Sequence, residues 1–112
     1  MPTYMFLLRN DPDWYKQLSP EEMQKATEKY TAWMKNPFVK DGQRLAGDTG
    51  RVIRAEAGQP RATDGPFSES KEVLGGYYTI EAASYDEAVE RALTLPHLDY
   101  GGFIEVRHVF GT

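Results

Sequence analysis

Residues 3–9 are apolar and aromatic almost without a break, and the breakers Asn10, Asp11, Pro12 and Asp13 follow them. A run this short predicts a strand that enters a loop. From Ser19 the rhythm becomes helical. Ser19 is placed to be the N-cap, Pro20 suits the first helical position, and Glu22 completes a capping box, with Leu18 and Met23 spaced as a hydrophobic staple. Met23, Ala26, Tyr30, Trp33 and Met34 then form one apolar face. Pro37 cannot donate to the carbonyl of Trp33, so this helix should end or kink near Asn36, with Phe38 a point where it could restart.

Residues 41–66 are rich in turn formers and are the one candidate for a long irregular connection. Within them, residues 51–55 and a stretch ending at Thr63 read as the arms of a hairpin turned at residues 56–60. Residues 73–82 read as a longer, tyrosine-rich strand. A second helix is predicted over residues 85–95: Ser84 caps it, Glu87 closes the box, Pro96 bars continuation, and Tyr85, Ala88, Val89, Ala92 and Leu93 form its buried stripe. Residues 103–110 supply the last strand. This order, strand, helix, two or three strands, helix, strand, predicts an α+β domain of ferredoxin-like split β-α-β type, an antiparallel sheet with two helices on one face.

On the last strand Ile104, Val106 and Phe110 point one way, and Phe103, Glu105, Arg107 and Val109 the other. Two helices cover one sheet face only. The other face, with Phe103, Val109 and one of Tyr77 and Tyr78, would expose an aromatic patch that soluble monomers rarely tolerate, which predicts a homodimer. Glu105 and Arg107 would lie on that face and need partners, since burying a lone charge costs several kcal/mol. The first reading is a structural ion pair across the dimer interface, with Arg9 and Glu81 as further candidates. In the alternative reading, Arg107 holds an anionic ligand.

At 112 residues the chain is read as one domain, residues 1–112, long enough to fold without a staple. It has no cysteine, which excludes disulfides, thiolate metal sites and a cysteine nucleophile. A formal net charge of -4 with scattered basic residues argues against nucleic-acid binding. The apolar N-terminal run is too short for a signal peptide or membrane span, so the expected location is the cytoplasm, with no membrane partner. His97-Leu98-Asp99 fits no strong metal template, and no metal site is assigned; His97, just after Pro96, is expected in a loop.

The densest chemistry follows Thr63: Asp64-Gly65-Pro66-Phe67, then Ser68, Glu69, Ser70, Lys71 and Glu72, leading to Gly75-Gly76. Asp64 reads first as a turn former, its carboxylate accepting from backbone N–H groups at Phe67 and Ser68. Its second reading is a proton carrier at the mouth of a cavity. Ser68 and Lys71 match a Ser-x-x-Lys spacing without the companion motifs that chemistry requires. Gly75-Gly76 is followed by strand-like residues, so it reads as a bulge or close approach and not as a dinucleotide fingerprint.

With Lys71-Glu72 and the later Glu105-Val106-Arg107, this stretch resembles the signature of the YCII-related proteins, specifically their DGPF branch. The resemblance implies a dimeric α/β barrel with two sheets face to face. It also implies one of two roles. The first is acid/base chemistry of a lyase-like kind, without a cofactor, on a small oxidised or anionic molecule, with Asp64 catalytic and Lys71 and Arg107 binding the ligand. The second is a non-catalytic metabolite-binding or accessory domain, since family members occur beside sigma-factor-type regulators. Relatives outside the branch pair a histidine near the first helix with an aspartate; here residues 10–30 contain no histidine, so that role has no counterpart by position. His108 stands where the branch usually has proline.

Overall fold

The computed structural model describes residues 1–48, 50–64 and 72–112. Strand β1 (Thr3–Asn10) leads through a short 3-10 turn, Trp14–Gln17, to helix α1 (Pro20–Met34). Strands β2 (Val39–Arg44), β3 (Arg51–Glu56), β4 (Gln59–Asp64) and β5 (Val73–Glu81) follow. Helix α2 (Tyr85–Ala92), a 3-10 turn at Pro96–Tyr100 and strand β6 (Phe103–His108) complete the chain. The main sheet has the order β2-β5-β1-β6, with every neighbouring pair antiparallel. Because β5 lies between β1 and β2, the first β-α-β unit is split, as a ferredoxin-like α+β fold requires. The sheet is open, and a single chain closes no barrel.

The capping box predicted for α1 is formed: Ser19 Oγ accepts from the Glu22 N–H at 3.1 Å, and a Glu22 carboxylate oxygen accepts from the Ser19 N–H at 3.2 Å. Pro37 ends the helix as expected. The carbonyl freed at Trp33 accepts from the Asn36 side-chain amide at 2.7 Å, and the chain turns into a strand rather than a second helical segment. The residue pattern does not predict this strand, β2. Lys40, Asp41, Gly42 and Gln43 have little β-propensity, and pairing with β5 makes them a strand.

The helices cover the sheet face that carries Tyr4, Phe6, Leu8, Tyr78 and Ile80; Phe6 and Ile80 are fully buried. Trp33 of α1 packs on this layer, its ring 4.9 Å from that of Tyr78 and 5.7 Å from that of Phe38. Its indole N–H donates to Thr94 Oγ1 at 2.8 Å, which ties α1 to the end of α2.

Helix α2 is shorter than predicted and rotated. Ala88, Ala92 and the following Leu95 are buried, whereas Tyr85, Val89 and Leu93 are exposed. Two alanines at i, i+4 let the helix backbone approach closely, and the bulkier side chains are left outside. Ser84 caps α2, but the Glu87 carboxylate accepts from the Ala83 N–H and pairs with Arg91, so the box stays open. Tyr85 accepts from the backbone N–H of His108 at 2.9 Å. Strand β6 stops there, and Phe110, predicted to lie in the strand, is fully exposed beyond it.

The hairpin forms its own two-stranded sheet, β3 with β4, outside the main one. Its turn is the pair Ala57-Gly58, both at positive φ (50° and 80°), tighter than the five-residue bend expected. The pair Gly75-Gly76 sits at a register shift between β1 and β5, where Leu8 faces Gly76 and Arg9 faces Leu74. Gly75 is the extra residue of that bulge, and a Cβ there would lie 2.8 Å from Asn10 Oδ1.

Candidate functional site

Between α1 and its sheet face lies a cavity of about 400 Å³, within the range of small-molecule sites. Met23, Ala26 and Tyr30 of α1 form one wall, Leu8, Asn10, Gly76 and Tyr78 of the sheet the other. Trp14, Tyr15 and Arg44 with the residues after it also line the cavity. Gly42 makes room for this arrangement, because a Cβ there would collide with the ring of Tyr78.

His97, at the start of its 3-10 turn, is buried against this cavity and also lines it, which corrects the expectation of a solvated loop histidine. Its Nε2 lies 2.9 Å from the carbonyl oxygen of Arg9, and its Nδ1 lies 2.9 Å from Tyr30 Oη. A carbonyl can only accept, so Nε2 carries the proton. Nδ1 is then the acceptor, and the Tyr30 hydroxyl donates to it. Burial pushes the His97 imidazole below its ordinary value, an effect partly offset by the carbonyls of Arg9 and Phe103. Burial likewise pushes the Tyr30 phenol well above its ordinary value; the positive charge of Arg44 opposes that rise. The fold therefore favours the neutral form of both groups.

The residues singled out from sequence lie elsewhere. Asp64, at the end of β4, is largely exposed and pairs with Arg51 at 3.3 Å; it does not line the cavity. Lys71 and residues 65–70, on which the expected turn after Asp64 falls, lie outside the described residues. Arg107 is exposed on the sheet face away from the helices, 3.1 Å from Glu105, which also meets Arg9 at 3.5 Å. The ion pair expected across a dimer interface forms instead within one chain, Glu105 taking both Arg107 and Arg9, while Glu81 pairs with Lys40 at 2.7 Å. The structure does not bring Asp64 and Arg107 together.

Sequence reasoning missed the Tyr30–His97 pair, since Tyr30 counted only as part of an apolar helix face. No local pattern marks the pair; the crowding that identifies His97 as a packed ring, a Cβ on Gly102 running into its imidazole, exists only in the folded chain. Among the described residues no three His, Cys, Asp or Glu side chains converge as metal ligands, and no helix is long and apolar enough to cross a membrane.

The fold and cavity define an α+β protein with an open antiparallel sheet and a ligand-sized site under its first helix. The chain belongs to the YCII-related family: the model of the YCII-related domain matches residues 3–111. It is also 34% identical over 111 residues to an uncharacterized protein of Rhizobium meliloti (strain 1021), covering 93% of this chain and 89% of that protein.

Proposed function

We propose that this protein binds a small organic molecule in the cavity under α1. The supporting observation is the convergence there of aromatic walls and the Tyr30–His97 hydrogen bond, a mostly apolar site with a few placed polar groups. Both groups are held neutral, which suits recognition: neutral donors and acceptors cost less to desolvate than charges. A second reading, proton transfer, is favoured by the same contact. A ligand proton passed to Tyr30 Oη, as the phenol proton moves to His97 Nδ1, would leave the ligand as an anion near Arg44. In that reading His97 takes the role assigned from sequence to Asp64.

We also propose that two copies pair through the sheet face away from the helices, in the manner of a dimeric α/β barrel. There Leu7 lies between Tyr77 and Glu105, and Met5 between Thr79 and Arg107, with Phe103 beside Arg9. This face mixes apolar side chains with the linked charges of Arg9, Glu105 and Arg107, which satisfy one another before any partner arrives.

Native mass spectrometry of freshly purified protein tests both proposals. A retained small molecule, lost in a Thr31→Trp variant that sets an indole ring at an α1 residue lining the cavity, is the expected result. Identical ligand retention in that variant would move the site elsewhere, and a monomer mass at micromolar concentration would remove the dimer.

A further inference from the structure

The polarity of the cavity restricts what can occupy it. The single Tyr30 hydroxyl proton is directed to His97 Nδ1, because the other imidazole nitrogen is committed to the Arg9 carbonyl. Toward the cavity the phenolic oxygen therefore offers lone pairs only. A desolvated acceptor without a donor is costly, so a bound ligand has to supply an O–H or N–H there.

A second restriction comes from charge. Among the described residues that line the cavity, Arg44 is the one cation besides the neutral His97, and no Asp or Glu joins it. Arg44 has no ion-pair partner among the described residues, unlike Arg9, Arg51, Arg61, Arg91 and Arg107. A guanidinium in a site without carboxylates favours a planar anion that it can grip with two N–H groups. The rings of Trp14, Tyr15 and Tyr78 also line the cavity, surfaces that suit a flat conjugated frame.

We propose that the ligand is a flat aromatic carboxylate bearing a hydroxyl or amino donor, with the donor on Tyr30 Oη and the carboxylate on Arg44. This rests on the cavity being the binding site. The ligand class follows from the donor direction of one hydrogen bond and the sign of one charge.

Calorimetric titration of the wild-type protein with 6-hydroxy-2-naphthoate, 2-naphthoate and 2-naphthol tests it. The hydroxy acid should bind at least about fivefold more tightly than 2-naphthoate, whose loss of the hydroxyl leaves Tyr30 unsatisfied. It should also bind more tightly than 2-naphthol, which lacks the anion. Tyr30→Phe should abolish the first preference and keep the second, and Arg44→Gln the reverse. Equal affinity for all three probes, abolished by Thr31→Trp, would overturn the ligand class and leave the cavity reading standing. Failure of every probe to bind would overturn the ligand class, while the retained-ligand measurement decides separately on the cavity. Should Tyr30→Phe fail to fold, the three-probe comparison on the wild type still separates these outcomes.

Discussion

Gly102 leaves the space that the His97 imidazole occupies: a Cβ at residue 102 would run into Nε2, the atom that donates to the Arg9 carbonyl. The left-handed Gly101 (φ 77°) ends the 3-10 turn just before it and folds the chain back over the ring. Two adjacent glycines therefore seat one buried imidazole beside the cavity.

Gly102→Ala should displace that ring. Neither the neighbouring strand nor the buried imidazole can move freely, so the expected loss is about 1–3 kcal/mol, typical of overpacking. Urea unfolding monitored by tryptophan fluorescence measures it. An unchanged midpoint would mean that the ring has room to move.

Stability should depend on pH through His97. Its folded value is depressed below the ordinary 6.5, so the unfolded chain binds the proton more readily. The stabilising contribution is fully present above about pH 6.5 and is lost as pH falls from there toward the folded value. Thermal unfolding between pH 7.5 and 5 should show this slope, and His97→Gln should flatten it. A slope equally steep in that variant would assign the titration to other groups.

Removing the Tyr30 hydroxyl leaves Nδ1 of a buried imidazole without a donor. Tyr30→Phe should cost about 1–3 kcal/mol, the range for an acceptor left unsatisfied. Chemical denaturation compared with the wild type reads this directly, and a neutral result would show that water replaces the phenol.

The proposed dimer predicts a sharp effect at Leu7, whose side chain stands between Tyr77 and Glu105 on the uncovered sheet face. Leu7→Lys adds a cation beside Arg9 and Arg107, which Glu105 already serves, and should shift the protein to monomer. Multi-angle light scattering at micromolar concentration is the measurement. A wild type that is itself monomeric and well folded would defeat the proposal outright.

Short-range patterns were legible in the chain because their physics is local. The Ser19 capping box, the end of α1 before Pro37 and the bulge at Gly75 each depend on residues a few positions apart or on a backbone property of one residue type. The general order of strand, helix, strands, helix and strand followed from the alternation of two periodicities, although the strand that completes the split unit is β2 and not an arm of the predicted hairpin, and the chain's resemblance to YCII-related proteins was visible in its motifs. The facing of α2 was less legible, since Ala88 and Tyr85 are both apolar and periodicity cannot say which side meets the sheet. Strand β2 was not legible at all, because its residues become a strand only through the partner they pair with.

The candidate site belongs to that second kind. Tyr30 and His97 are 67 residues apart, and neither belongs to a recognisable spacing. The amino-acid order by itself determined where both helices begin, where α1 stops and which strand faces would be apolar, because caps, prolines and alternation act within a turn or a pleat. Only the packing of α1 and the turn after α2 over one sheet face brought a phenol to an imidazole, left the tip of Arg44 without a carboxylate among the described residues, and set Asp64 apart on a separate hairpin. Contacts of that range are decided by how whole elements are stacked, which no local pattern of residues encodes.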